Sequence, residues 1–157
     1  MRGYRTLVIL VAALSLLAMA SPAVAESRIE KNLELQPGGR FTLESEVGSV
    51  TVTGASRSGA HIVITSEKQD LNSELEFSFS GSAGIAQVTA RRKQESGWSH
   101  NLSVHFEIEV PTETRTEVHT SGGRITLSGL RGAADVKTSG GSIEVTGLNG
   151  NLEAHTS

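Results

Sequence analysis

The chain has 157 residues, with 14 basic and 17 acidic side chains, a formal net charge of −3 and no cysteine. That balance offers nucleic acid no basic stripe along which to neutralise phosphates. The lack of cysteine excludes a disulfide framework and lipid attachment at a processed cysteine, so an exported domain must be held by its core and backbone ladders alone.

The first 25 residues read as a signal peptide. Arg2 and Arg5 form a positive n-region, Leu7–Ala20 is an apolar run of 14 residues, and Ala23-Val24-Ala25 supplies the small residues that precede cleavage. The run is shorter than the ~20 residues that cross a bilayer core. The expectation is cleavage after Ala25 and export by general secretion, to the periplasm, the cell surface or the medium, with no stable membrane span afterwards. Without Arg2 and Arg5 the mature chain, Glu26 to Ser157, carries 12 basic and 17 acidic residues.

Residues 26–157 read as a single all-β repeat domain. Gly39-x-Phe41-x-Leu43 and Gly48-x-Val50-x-Val52 are nine residues apart, each a glycine followed by an apolar alternation. Alternation with period two marks a strand with one buried face. A longer corner, Gly54–Ala60, precedes the strand "HIVITSE". Leu71–Leu75 makes at most one helical turn. "ELEFSFS" and "AQVTARRK" follow, then a polar loop around Gly97 with Trp98 and His100. "NLSVHFEIEV" places Leu102, Val104, Phe106, Ile108 and Val110 on one face, and Pro111, which cannot donate to a ladder, ends it.

The remainder is written twice. Ser121–Thr138 aligns without gaps on Ser139–Thr156, with eight of 18 positions identical. Within it, Gly123, Gly132, Gly141 and Gly150 recur every nine residues, each before an apolar pair: Ile125/Leu127, Ala134/Val136, Ile143/Val145 and Leu152/Ala154. Equal spacing predicts strands stacked at ~4.8 Å in parallel register, Ile125 over Ile143 and Leu127 over Val145. The expected fold is therefore a β-solenoid, right-handed β-helix-like, with 18-residue coils over 116–157 and irregular strands over 26–115. An antiparallel sandwich is the rival architecture, but it has no reason to keep loop lengths equal. The pattern would next require Gly-Gly and another strand. The expectation is a chain truncated at its C-terminus, with more coils to follow or edge-to-edge self-association of the exposed end.

No residue is assigned a catalytic, cofactor-binding or metal-binding role. A calcium roll of the same period needs an aspartate in each glycine-rich turn, and here the corners carry Ser, Arg and Asn. His119 and His155 are 36 residues apart, ~10 Å in stacked layers, with Lys137 between them, the wrong neighbour for a metal. His61, His100 and His105 read as surface side chains. The carboxylates read as scattered, whereas glycosidases need acids converging on one cleft. No serine sits in a nucleophile elbow. Arg91-Arg92-Lys93 reads as a solvated strand end, and "NLS" at Asn101 opens a strand. Outward hydroxyls recur at Ser49, Thr51, Thr53, Thr126, Ser128 and Thr146, a pattern that threonine's strand propensity explains without a ligand.

The segment "VPTETRTEVHTSGGRITLSGLRGAADVKTSGGSIEVTGLNGNLEAHTS" resembles the bacterial putative-adhesin β-strand-repeat family, a domain of unknown function. Its pattern is "TSGG-x-I-x-V-x-G-L-x-G" after a "VP" strand, and "EVGSVTVTG" upstream is similar to its first unit. The resemblance implies an all-β, solenoid-like fold distantly akin to the bactofilin cytoskeletal proteins, and no established functional residue. The expected function is an exported, non-enzymatic adhesin, scaffolding or binding module of the bacterial envelope, with an envelope or surface ligand as partner. The alternatives are a polysaccharide-acting enzyme on a solenoid scaffold and a self-assembling bactofilin-like scaffold.

Overall fold

The period-two alternation carries most of the chain into strands. A computed structural model describes residues 27–67, 70–93 and 102–157. The expected signal peptide, Trp98, His100 and Asn101 lie outside the described residues. In chain order come β1 (Ser27–Leu33), β2 (Arg40–Ser45), β3 (Ser49–Ala55) and β4 (Ala60–Ser66), then the single turn α1 (Leu71–Glu74). There follow β5 (Leu75–Gly81), β6 (Ile85–Arg92), β7 (Val104–Pro111) and β8 (Arg115–Thr120). The last are β9 (Ile125–Ser128), β10 (Ala134–Thr138), β11 (Ile143–Thr146) and β12 (Leu152–Thr156).

The strands form two six-stranded mixed sheets, ordered β1-β4-β7-β3-β9-β11 and β12-β10-β8-β2-β6-β5. Consecutive strands β2/β3, β6/β7, β8/β9 and β10/β11 each place one member in either sheet. Wherever two of these eight strands are neighbours in a sheet they run parallel, as does β12 beside β10. Inward side chains of both sheets meet in one buried cluster that includes Phe41, Leu43, Val52, Phe106, Ile125 and Leu127. The repeat register is as the spacing predicts: Ile125 pairs with Ile143 and Leu127 with Val145.

The all-β class holds, but the chain as a whole does not wind into the expected β-solenoid. Its sheets are open, and β1, β4 and β5 run antiparallel to their neighbours. The reason is local in β5 and β6, which are joined by only Ser82-Ala83-Gly84. A connection that short makes a hairpin, whereas parallel neighbours need a crossover. Lys31 on β1 lies opposite Ile62, on the buried side of its sheet, and its ammonium sits 5.7 Å from the Phe79 ring centroid. An inward-pointing charge on an edge strand discourages further strand addition.

The front of the domain is also less irregular in space than in sequence. β2 pairs in parallel with β8, and β3 with β9, so Gly39–Ala55 forms the layer beside Thr114–Leu130. The motif "TSGG" explains how such layers join. The hydroxyl of Thr120 donates to the Gly48 carbonyl at 3.1 Å, that of Thr138 to Gly123 at 3.0 Å, and that of Thr156 to Gly141 at 3.1 Å. Thr120 and Thr138 are buried, while the serines after them face solvent. Each threonine thus bonds the corner of the preceding layer. Thr138→Val should cost about 1–3 kcal/mol, because it removes the donor from a partly buried carbonyl. Ser139→Ala should change stability by less than about 0.5 kcal/mol. Urea midpoints of the two variants check this, and equal losses would contradict it.

Candidate functional site

Parallel register turns the 18-residue period into straight rows of outward side chains. On the second sheet one row reads Thr42, Glu117, Asp135, Glu153 across β2, β8, β10 and β12. The next reads Glu44, His119, Lys137, His155. Arg40 and Arg115 pair on the other side of the acidic row. The ladder is cross-linked by charge. Glu117 lies 3.5 Å from Arg40 and 3.3 Å from Arg115, Asp135 lies 3.7 Å from Lys137, and Glu153 lies 3.0 Å from His155. Exposed pairs like these contribute roughly 0–1 kcal/mol each, so the ladder sets surface chemistry more than stability.

Two atoms in it are sequestered without a hydrogen bond. His119 Nε2 and Asp135 Oδ1 are buried, unpartnered and 4.0 Å apart, too far to bond one another. Glu153 is held below its ordinary 4.5 by the hydrogen bond with His155, then by the charge of His155 and more weakly that of Lys137. The fold thus favours the carboxylate form. Its contribution is complete above the ordinary pKa and is lost as the pH falls through the depressed value. His155→Ala should return the Glu153 midpoint upward toward the ordinary value in a carboxyl NMR titration, and an unchanged midpoint would contradict the pairing.

At the C-terminal ends of β6, β2, β8 and β10 this face opens into a groove of about 390 Å³. Ser45 and Thr120, both buried, contribute to its lining. Glu44, Glu46, Arg91, His119, Lys137, Ser121 and Ser139 complete its polar lining. Glu46 accepts from the Arg92 backbone N–H at 2.8 Å.

The first sheet carries the expected hydroxyl rows. Thr51 pairs with Thr126, and Thr53 with Ser128, whose hydroxyl donates to that of Thr53 at 3.3 Å. Ser49 is hydrogen-bonded to His105 Nδ1, and Arg124 Nε donates to Ser142 Oγ at 3.1 Å. Among the described residues no carboxylate is bonded to the other nitrogen of His105, so this pair lacks the group that orients a catalytic base. His61 bonds Asn32 and lies 3.4 Å from Glu30. Lys137 separates His119 from His155, as the spacing predicts. Among the described residues no group of three His, Asp or Glu side chains is arranged to hold a metal ion.

One expectation needs correction. The carboxylates are not scattered on the second sheet, because Glu117, Asp135 and Glu153 align across adjacent strands. Their spacing of 18 residues was the signal, the same one that aligns Ile125 with Ile143. The groove had no such signal, since Arg91 and Glu44 come from strands outside the regular repeat.

These observations define an all-β protein of two mixed sheets with ordered polar rows on both outer faces. No family model matches the chain, and no curated protein matches it. Among solved structures, it is similar to a putative cell adhesion protein from Clostridium sporogenes, at 10% identity and a TM-score of 0.48, covering 83% of this chain and 98% of that one. A putative lipid binding protein from Parabacteroides distasonis shares 13% identity at a TM-score of 0.41 over 83% of this chain, which spans 62% of that protein's length. A putative adhesin from Parabacteroides merdae shares 8% identity at a TM-score of 0.31, covering 84% and 94% of the two chains. Likenesses this distant leave function to be argued from the chain's own side chains.

Proposed function

We propose that the protein is an exported, non-enzymatic β-repeat module of the bacterial cell envelope that binds or scaffolds an envelope component through its outer sheet faces. In this reading its parallel layers work as a short solenoid-like stack of the kind the putative-adhesin β-strand-repeat resemblance implies. The observation that carries it is the polar ladder of the second sheet, where register sets an acidic residue beside a lysine or histidine on each of β8, β10 and β12. Such a face meets a repetitive or extended partner at several equivalent points. Among the described residues no helix is long and apolar enough to cross a membrane.

The same ladder favours binding over hydrolysis of a polysaccharide. Glycosidic cleavage uses a carboxyl kept protonated across a cleft from a second one. Here Glu117 and Asp135 are neighboured by cations on an open face, and Glu153 is shifted toward ionisation.

Expression of the 157-residue chain in a bacterial host tests both parts. Recovered protein should begin at Glu26 and should cosediment with washed envelope sacculi, less so after Glu117→Ala combined with Lys137→Ala, without releasing reducing ends. Material that retains Met1–Ala25 would contradict export. Absent cosedimentation, or protein-dependent release of sugar, would contradict the binding role.

A further inference from the structure

On the outer face of the second sheet each carboxylate of β8, β10 and β12 lies within 4.0 Å of a basic or imidazole side chain: Glu117 of Arg40 and Arg115, Asp135 of Lys137 and His119, Glu153 of His155. Three charged side chains that line the groove, Arg91, Glu44 and Glu46, have no ion pair within 4.0 Å among the described residues. Arg91 and Glu44 are the next-to-last residues of the adjacent strands β6 and β2, and neither has a side-chain hydrogen bond among the described residues. Glu76, the register neighbour of Arg91 on β5, also makes no ion pair within 4.0 Å and does not line the groove. Glu44 is in register with Thr89, so Arg91 is its diagonal neighbour on the same face, two residues farther along β6. Both line the same opening without pairing with each other.

We propose that this groove binds a small zwitterion carrying an ammonium and a carboxylate, the chemistry of a free amino acid or short peptide. The Arg91 guanidinium offers the planar fork that takes a carboxylate through two parallel hydrogen bonds. Glu44, with the part of Glu46 not used by the Arg92 N–H, accepts from the ammonium. The hydroxyls of Ser121 and Ser139, exposed and without side-chain partners among the described residues, border the remaining space and suit the peptide or side-chain polar groups of the ligand. Ala90 is the one apolar residue of the lining, so most of the side chains around the ligand offer polar groups. Its volume lies within the range of small-molecule sites.

The site rests on reading this face as a recognition surface, and the test keeps the two separable. ¹⁵N-labelled protein is titrated with dialanine, with alanine, with N-acetyl-dialanine, which lacks the ammonium, and with dialanine amide, which lacks the carboxylate. Dialanine or alanine should produce saturable shifts at His119, Ser121 and Ser139, and the better of the two identifies the source. Each single-charge analogue should bind about tenfold more weakly or worse, as the loss of a charged hydrogen bond entails. Arg91→Gln should abolish the advantage of dialanine over its amide, and Glu44→Gln its advantage over the N-acetyl form. Both sites are exposed, so the spectra outside the groove should be unchanged, and either variant alone suffices if the other does not fold. No saturable shifts, or binding insensitive to both substitutions, would overturn the proposal. Dialanine binding without cosedimentation supports this site while removing the envelope reading. Cosedimentation without dialanine binding removes the site alone.

Discussion

Gly123→Ala should be among the most damaging single substitutions in this protein, costing on the order of 3 kcal/mol or more. Gly123 has φ of +122°, a backbone region closed to ordinary side chains, and an added Cβ would overlap the carbonyl of Gly48. That carbonyl belongs to the neighbouring layer, and it also accepts the Thr120 hydroxyl. The clash is with the backbone of Gly48 and Ser49, so no rotamer relieves it, and the layers must separate at the corner. Gly122→Ala is the control, since a Cβ there meets nothing within 4 Å. It should change stability by less than about 0.5 kcal/mol. Urea unfolding of the pair reads the difference, and equal midpoints would mean that the corner does not stack as described.

The second large effect is in the column beneath that corner. Ile125 is fully buried between Val50 on β3 and Ile143 on β11. Ile125→Ala should therefore cost about 2–5 kcal/mol through lost burial and the cavity left behind. Ile143 occupies the same place in the next repeat, and from sequence alone the two are equivalent. In the structure Ile143 is only partly buried, because β11 is the last strand of its sheet. Ile143→Ala should accordingly cost roughly 1–2 kcal/mol, in proportion to the area it removes from water. Glu144, exposed on the same strand, should tolerate alanine within about 0.5 kcal/mol. A denaturant series in which Ile125 and Ile143 cost the same would contradict the strand order.

What the sequence made legible follows from where its period is unbroken. Strands β9 to β12 and their register could be read from the glycines at nine-residue spacing, because one buried face and equal corners leave a single way to pair. The lone turn α1 was legible too, and Asp70 starts it by accepting from the Ser73 N–H at 3.1 Å. The place of β2 and β3 was not. Their partners β8 and β9 lie beyond the intervening strands β4 to β7, and alternation alone does not say which strand a distant strand will join. The antiparallel strands were hidden for a related reason. Phe77 and Phe79 alternate as any strand would, and only the short hairpin after Gly81 fixes the direction of β5. The acidic row could have been found by applying the 18-residue period to outward residues as well as inward ones. The groove could not, since it joins Arg91 and Glu44 to the repeat through pairings that the sequence does not announce.

The ordered outer rows exist only if distant segments stack as in-register parallel layers, and methyl NOE spectroscopy tests that most directly. With Ile, Leu and Val methyls labelled, the side chains of Val50, Ile125 and Ile143 should give one ladder of cross-peaks, and Val52, Leu127 and Val145 a second. Contacts between Val50 and Ile125, 75 residues apart in the chain, should be as strong as those between Ile125 and Ile143 in adjacent repeats. Ladders confined to the adjacent repeats, or cross-peaks in an antiparallel order such as Val50 with Leu127 and Val52 with Ile125, would contradict it.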